Sequence, residues 1–221
     1  MSGSEQPSLS GLWAFQRGKL AVCELGDRPL PPVGETGLAV RFAEVNADDA
    51  AALARAMGHG LPERILDSLD LDRRCFVAWR EEQIASYCWV SFQQEYVGEM
   101  ERTLSLRPGE AYIWNCATLP DFRRQGIYTA LLGYMLTRLV QDGMQRVWIG
   151  ADLENVPSHR AFASAGFQEA ALFTYLRLWR FYGFLTAAPD GATPQQLAAA
   201  RRLFQLDGLR AVGPVALGAV L

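Results

Sequence analysis

The stretch "LPDFRRQGIYTALLGYML" (Leu119–Leu136) places two arginines and a glycine directly before an apolar run. The apolar residues after Gly126 recur at helical spacing, which predicts an amphipathic helix. The first N–H groups of a helix lack partners within it and carry partial positive charge, so they can receive a phosphate group. Gly126 lets the backbone approach closely, and Arg123 or Arg124 can add charge-assisted hydrogen bonds. The stretch therefore predicts an anion-binding helix N-terminus.

A second segment, "ENVPSHRAFASAGF" (Glu154–Phe167), predicts a helix that begins after Asn155 and stops at Gly166. A predicted strand, "QRVWIGAD", separates the two helices. In this order "RRQGIY" resembles the R/Q-x-x-G-x-G/A signature of the GNAT superfamily of acetyl-CoA-dependent N-acyltransferases. The second segment is similar to that family's asparagine-led helix ending in Gly-Phe. Two motifs in the family's order are more specific than either alone, and the resemblance covers Leu38–Arg180.

Composition excludes several other classes. The chain has 221 residues, of which 50% are hydrophobic, and a net charge of −3, as expected for a globular protein with one core and a small appendage. We expect no nucleic-acid partner, because phosphate backbones bind clustered positive charge. We also expect no membrane partner, because no apolar run reaches the roughly 18 residues that span a bilayer.

Cysteine and histidine usage indicates the compartment and the chance of a metal site. Four dispersed cysteines without a C-x-x-C pair, and a start unlike a secretory signal, favour a cytoplasmic protein with free thiols. Two histidines and no cluster at ligand spacing predict that no metal is bound.

The predicted elements follow the order β, α, α, β, β, β, α, β, α, β. Leu12–Leu25 predicts a hairpin in front of them, with its turn at Gln16–Lys19, and Thr193–Leu206 predicts a helix behind. This order predicts a mixed sheet covered by helices, of α/β (α+β) class. The resemblance implies a GNAT-like, largely antiparallel central sheet flanked by helices, with a splayed strand pair for the cofactor. We expect an N-terminal extension at 1–37, the GNAT-like domain at 38–182, and a helical and apolar C-terminal extension at 183–221.

The resemblance implies acetyl-CoA as co-substrate, with the coenzyme A pyrophosphate at the helix N-terminus and the pantetheine arm along the strand before it. A backbone N–H near Ala117 to Leu119 would meet the oxyanion. Tyr128 departs from the family pattern, which usually has Gly or Ala there. Asn155 can cap its helix as well as contact the cofactor arm. The residues carried over for coenzyme binding are Cys116, Ala117, Thr118, Leu119, Arg123, Arg124, Gln125, Gly126, Ile127, Tyr128, Thr129, Asn155, Ser158 and Phe162.

The catalytic groups match the family less well. Phe162 stands where a tyrosine commonly protonates the leaving thiolate, so thiolate leaves unaided or another donor, such as Tyr128 or Tyr175, replaces it. Tyr112 and Gly150 occupy the usual positions of the glutamate base. The leading candidate base is therefore Glu110, two residues before Tyr112 and so on the same face of an extended strand. Glu99 and Glu101 follow closely, and for each of the three a solvated surface carboxylate is the commoner role.

The sequence predicts an enzyme that transfers acetyl from acetyl-CoA to a primary amine of a small molecule. Alternatives are a non-catalytic acyl-CoA-binding or sensor domain, and an acetyltransferase acting on a protein N-terminus or lysine. The acid-rich connection from Glu95 to Glu101 could attract a cationic acceptor. The two flanking extensions could pack beside the sheet, cover the acceptor cleft or form a homodimer contact.

Overall fold

The computed structural model describes residues 13–26, 30–31, 36–58, 61–178 and 181–205. The strands are β1 (Trp13–Glu24), β2 (Arg41–Glu44), β3 (Arg73–Arg80), β4 (Gln83–Ser91), β5 (Gln94–Val97), β6 (Arg102–Ser105), β7 (Glu110–Thr118), β8 (Arg146–Asp152), β9 (Gln168–Leu178) and β10 (Phe181–Ala187). The α-helices are α1 (Ala50–Ala56), α2 (Pro62–Asp70), α3 (Ile127–Gln141), α4 (Val156–Ser164) and α5 (Pro194–Leu203).

Eight of the described strands form one sheet in the order β10-β9-β1-β8-β7-β4-β3-β2. Every neighbouring pair is antiparallel except β7 and β8, which run parallel. The prediction of a mixed, largely antiparallel sheet flanked by helices is therefore confirmed. β5 and β6 form a separate two-stranded hairpin.

Helices cover both faces of the sheet. On β1, Ala21 and Cys23 pack in the core that includes α3 and α4, whereas Leu20 and Val22 pack in the core that includes α5. This division follows from the period of two in a strand, which sends successive side chains to opposite faces. A third buried cluster joins α1 and α2 to the β3 and β4 end of the sheet.

The prediction of an N-terminal hairpin is wrong. Trp13–Glu24 forms a single strand that pairs with β8 on one side and β9 on the other. The polar residues around Gly18 suggested a turn. Gly18 instead lets the Phe173 ring pack closely against the backbone of β1, since a Cβ there would overlap that ring. Because β1 and β10 belong to the main sheet, the domain boundaries predicted at 38 and 183 fall within one sheet.

The parallel pair β7 and β8 splays apart. Paired residues extend from Glu110 and Arg146 only as far as Ile113 and Ile149. Beyond that point β8 continues with β1, and β7 continues with β4 through an irregularity in register. Asn115 lies within this irregularity at φ 43°, a left-handed conformation that fits a β-bulge. The predicted splayed pair is therefore present, and it opens the sheet into a cleft.

The connection after β4 was predicted as an acid-rich loop without strands. The structure instead forms β5, a 3-10 turn at Gly98–Met100, and β6. The predicted apolar tail at 211–221 lies outside the described residues. Among the helices that are described, none is long and apolar enough to cross a membrane.

Candidate active site

The diverging ends of β7 and β8 enclose a cleft of about 600 Å³. Gln16 and Leu20 of β1 line one side, and the β5–β6 hairpin lines another. Phe204, directly after α5, also reaches the cleft. The segments on both sides of the predicted central domain therefore contribute walls to this cleft.

The N-terminus of α3 has no side-chain cap among the described residues. Its N-cap residue, Gly126, adopts a left-handed conformation at φ 75°, and no side chain in the described part of the chain accepts a hydrogen bond from the first turn. In contrast, Asn155 Oδ1 accepts the Ser158 N–H at 3.3 Å at the start of α4. The first backbone N–H groups of α3, at Ile127, Tyr128 and Thr129, are thus left for an external acceptor, as an anion site requires.

The loop before α3 is held by one side-chain contact and one backbone contact. Arg123 Nε donates to the Thr118 carbonyl at 3.0 Å. The Gly37 N–H donates to the Gln125 carbonyl at 2.9 Å. Arg124 is exposed and adopts φ 62°, so a second left-handed residue shapes this turn. Two arginines therefore flank an uncapped helix terminus, which is a suitable place for a pyrophosphate.

The end of β7 presents backbone groups to the open side. The Leu119 N–H donates to the Ala85 carbonyl at 2.9 Å, so it already has a partner on β4. Neighbouring residues of a strand direct their backbone groups to opposite sides. The N–H and carbonyl of Thr118 therefore face away from β4, consistent with the Arg123 contact to that carbonyl. Within Ala117 to Leu119, Thr118 is the residue whose N–H can serve an incoming group.

Several residues carried over from the resemblance meet at the cleft. Cys116, Tyr128, Asn155, Ser158 and Phe162 all line it. Asn155 also caps α4, so its capping role holds in this structure. Phe162 is buried, at 3% exposed.

Tyr128 supplies a hydroxyl to this wall of the cleft. It is half-buried in the first turn of α3 and packs edge-on against Phe162. Burial, the nearby Cys116 and Cys88 thiols and a hydrogen bond with Cys116 raise the pKa of Tyr128 well above its usual value. The phenol therefore stays protonated near neutral pH and can donate a hydrogen bond into the cleft.

The two glutamates of the hairpin turn have different surroundings. Glu99 lines the cleft and is exposed, and within the described part of the chain its carboxylate has no hydrogen bond or ion pair. Glu101 instead accepts a hydrogen bond from the Tyr175 hydroxyl at 3.0 Å and pairs with Arg177 at 3.1 Å. The structure therefore brings Glu99 to the cleft and turns Glu101 away from it.

Glu110, the leading candidate base, lies at the opposite end of β7 and does not line the cleft. Its carboxylate accepts hydrogen bonds from Arg202 at 2.6 Å and Arg146 at 3.2 Å, and from the Arg107 N–H at 3.0 Å. Burial opposes ionisation, but these partners outweigh it and lower the pKa of Glu110. This is the environment of a structural ion pair rather than that of a base.

The polar residues of the cleft that were not singled out from the sequence as site residues include Gln16, Glu95, Tyr96, Asn115 and Asp152. Asp152, at the end of β8, accepts a hydrogen bond from Gln16. Tyr96 and Glu95 come from β5. The acidic character of the connection was a signal for Glu95 and Tyr96 only. Gln16 and Asp152 had no local signal, because they belong to strands that lie far apart in sequence.

The charged residues that line the cleft are all acidic. Its ionisable lining residues are Glu95, Glu99 and Asp152 in addition to tyrosine and cysteine, and no Lys, Arg or His occurs among the described lining residues. Across the same described ranges, no three His, Cys, Asp or Glu side chains gather closely enough to hold a metal ion. A cleft of this kind favours a cationic ligand.

Comparison with known proteins identifies the family. The sequence profile described as the acetyltransferase (GNAT) family matches residues 42–167. Ribosomal protein bS18-alanine N-acetyltransferase from Escherichia coli is 29% identical over 99 residues, covering 42% of this chain and 67% of that protein. Mycothiol acetyltransferase from Clavibacter michiganensis is 28% identical over 152 residues, covering 67% of this chain and 47% of that protein.

Solved structures share the fold. A GCN5-related N-acetyltransferase from Sphaerobacter thermophilus superposes with a TM-score of 0.55 at 16% identity, covering 83% of this chain and 56% of that chain. An acetyltransferase from the GNAT family of Colwellia psychrerythraea gives a TM-score of 0.51 at 14% identity, covering 75% of this chain and 57% of that chain. The present chain thus spans little more than half the length of these two structures.

Proposed function

The chain belongs to the GNAT family of acetyltransferases and is therefore an acyltransferase, and from this premise we propose that it acetylates a primary amine of a small cationic molecule. The family's co-substrate, acetyl-CoA, supplies an activated acetyl thioester. One observation carries the proposal: the cleft between the splayed strands adjoins the uncapped N-terminus of α3. Coenzyme binding, the general base and the general acid are assigned to separate residues of this chain.

Coenzyme binding is assigned to the α3 turn and to β7. The N–H groups of Ile127, Tyr128 and Thr129 receive the pyrophosphate, aided by Arg123 and Arg124. The unpaired edge of β7 offers backbone groups to the amides of the pantetheine arm, which can complete the ladder where β8 has diverged. We assign the N–H of Thr118 to the oxyanion that develops on the acetyl group, because this N–H faces away from β4.

Glu99 is proposed as the general base. A primary amine has a pKa of about 10.4, so a base must remove a proton before the nitrogen can attack. Glu99 is the cleft carboxylate that has no partner among the described residues, whereas Glu95 is already bonded to Arg73. It can take the proton directly or through one water molecule.

Tyr128 is proposed as the general acid. Its raised pKa keeps the phenol protonated, and the hydroxyl lies in the cleft next to Cys116. It would protonate the departing thiolate, the role for which Phe162 has no suitable group.

The acceptor is proposed to be small and to carry a second positive charge. A volume of about 600 Å³, bounded by the hairpin and by Phe204, suits a small molecule. Asp152 at one wall and Glu99 at another favour an amine with a further cationic group.

One observation favours a second candidate, a protein N-terminus as acceptor. The matched Escherichia coli relative is named for the alanine of ribosomal protein bS18. An α-amino group is also a primary amine, so the same base and acid would serve it.

A matched panel separates these candidates. The purified chain is incubated with acetyl-CoA and one of three four-carbon amines, diaminobutane, aminobutanol or aminobutanoate, or with a peptide that begins with alanine. We expect the fastest thiol release with diaminobutane, and we expect Asp152→Asn to reduce its advantage over aminobutanol. A faster reaction with the peptide would favour the protein acceptor, and tight binding of acetyl-CoA without turnover on any amine would favour a sensor.

A further inference from the structure

Four residues contact one another in a closed ring beneath one wall of the cleft: Arg73, Glu95, Ser91 and Trp114. Arg73 donates to both carboxylate oxygens of Glu95, from Nη2 at 2.9 Å and from Nε at 3.0 Å. The Ser91 hydroxyl donates to the same carboxylate. Trp114 Nε1 donates to the Ser91 hydroxyl at 2.9 Å, and the Arg73 guanidinium lies 5.0 Å from the centre of a Trp114 ring.

The ring joins four strands. Arg73 begins β3 and pairs directly with Ser91 at the end of β4, Glu95 belongs to β5, and Trp114 belongs to β7. Glu95 is 4% exposed and Ser91 is 1% exposed, so these contacts are shielded from water. A buried carboxylate requires such partners, because burial without them carries a large free-energy penalty.

Two residues of the ring, Trp114 and Glu95, lie next to the segments proposed to act in catalysis. Trp114 directly precedes Asn115, the left-handed residue of the β7 bulge, and lines the cleft. Glu95 lies on the hairpin strand that leads into the turn carrying Glu99. The ring therefore connects the strand assigned to the coenzyme arm with the turn assigned to the base.

We propose that Arg73, Glu95 and Ser91 are positioning residues that fix Glu99 relative to β7. This inference rests on the proposed function, because it assigns Glu99 the role of base. Glu95 lines the cleft but does not itself serve as base, since Arg73 occupies both of its oxygens and Ser91 binds one of them. The network acts through the hairpin and Trp114.

The chain offers a matched control on the same strand. Arg74, the neighbour of Arg73, also makes a two-pronged contact with a carboxylate, donating to Glu44 from Nε at 2.6 Å and from Nη2 at 2.7 Å. Arg74 also binds Asp142, and neither acid lines the cleft. Glu44→Gln therefore removes an ion pair of the same two-pronged geometry without touching the proposed site, although the Glu44 side chain is 34% exposed and that of Glu95 is 4% exposed.

The test compares Glu95→Gln with Glu44→Gln in the full chain. Three quantities are measured: kcat for acetylation of diaminobutane, the Kd of acetyl-CoA, and the amide hydrogen exchange of residues 94–105. We expect Glu95→Gln to lower kcat at least tenfold, to change the acetyl-CoA Kd less than twofold, and to speed exchange in the hairpin. Glu44→Gln should leave all three within twofold of wild type.

Milder variants guard against a folding defect. Ser91→Ala removes the two contacts of the Ser91 hydroxyl, to Glu95 and from Trp114 Nε1, whereas Trp114→Phe removes the contact from Nε1 alone. Each variant should lower kcat about threefold while the acetyl-CoA Kd stays unchanged. Combining Ser91→Ala with Glu95→Gln should add little further loss, because residues of one network are not additive.

The inference is overturned if Glu95→Gln and Glu44→Gln have equal effects on kcat and on exchange, or if Glu95→Gln weakens acetyl-CoA binding as much as it lowers kcat. In either case Glu99→Gln decides separately whether the proposed function stands. If the wild-type chain acetylates no amine, the proposed function fails, and unchanged hairpin exchange in Glu95→Gln would then reject the network as well.

Discussion

The phenol ring of Tyr128 on α3 meets the ring of Phe162 on α4 edge-on, with the ring centroids 6.4 Å apart. The family resemblance leads one to expect the cleft hydroxyl on α4, at the position of Phe162. In this chain the residue with the hydroxyl is Tyr128 on the neighbouring helix α3, and its ring contacts the Phe162 ring. The pair suggests that the proton donor has moved from one helix to the other.

Exchanging the two side chains tests this relationship. Tyr128→Phe should lower kcat about a hundredfold, because a positioned acid contributes at least that factor. The acetyl-CoA Kd should stay nearly unchanged, since the backbone N–H at this position remains. Adding Phe162→Tyr to Tyr128→Phe should restore part of kcat in steady-state assays. An unaltered kcat in Tyr128→Phe would remove this residue from the mechanism.

The neighbouring turn glutamates provide a paired test of the base. Glu99→Gln should lower kcat about a hundredfold, because the amide cannot accept the proton of the amine. Glu101→Gln should change kcat less than about threefold, since Glu101 binds Tyr175 and Arg177 away from the cleft. Equal losses in the two variants would argue against Glu99 as base. The measurement is thiol release at saturating diaminobutane.

Two left-handed glycines, one at each end of α3, allow the effect of backbone strain on stability to be distinguished from an effect on coenzyme binding. Gly126 begins the helix at φ 75°, and Gly143 follows its end at φ 79° with open space around it. Alanine at either site should destabilise the fold by about 1 kcal/mol. Isothermal titration should show weaker acetyl-CoA binding, by about tenfold, in Gly126→Ala alone. Equal affinities in both variants would place the pyrophosphate elsewhere.

Glu110 should govern acid stability rather than turnover. Its folded pKa lies below the usual 4.5, so the carboxylate stabilises the fold above that value and loses this contribution as pH falls through the folded pKa. Glu110→Gln should lower the free energy of unfolding by about 2 kcal/mol near neutral pH, and the gap from wild type should shrink in acid. Urea unfolding at several pH values measures this change.

Catalysis provides the complementary check on Glu110. Because the residue lies outside the cleft, kcat of Glu110→Gln at a temperature where the variant is folded should match wild type within about twofold. A much larger loss would return Glu110 to the list of bases.

Local patterns predicted much of the fold. The apolar stripe and Gly126 predicted α3, and the structure confirms a helix at Ile127–Gln141. Asn155 was predicted to cap its helix, and its Oδ1 accepts the Ser158 N–H at the start of α4. These features depend on residues a few positions apart, so periodicity and capping preferences identify them.

Long-range contacts explain what the sequence pattern missed. β1 resembled a hairpin because the polar residues around Gly18 look like a turn, yet they lie opposite β8 and β9 in a continuous strand. Glu110 was a reasonable base by strand parity, but Arg202, its strongest partner, lies 92 positions away in sequence. No local signal reports a partner at that distance.

The most direct test of the central claim is thermal unfolding with and without excess acetyl-CoA, followed in the same samples by thiol release on addition of diaminobutane. At about 100 times its Kd the ligand should stabilise the fold by about 2.7 kcal/mol, and the amine should then accelerate release of free thiol. Absence of stabilisation would contradict the assignment of the α3 N-terminus and the splayed strands as the coenzyme site. Stabilisation without thiol release on any amine would contradict the assignment of an acetyl acceptor.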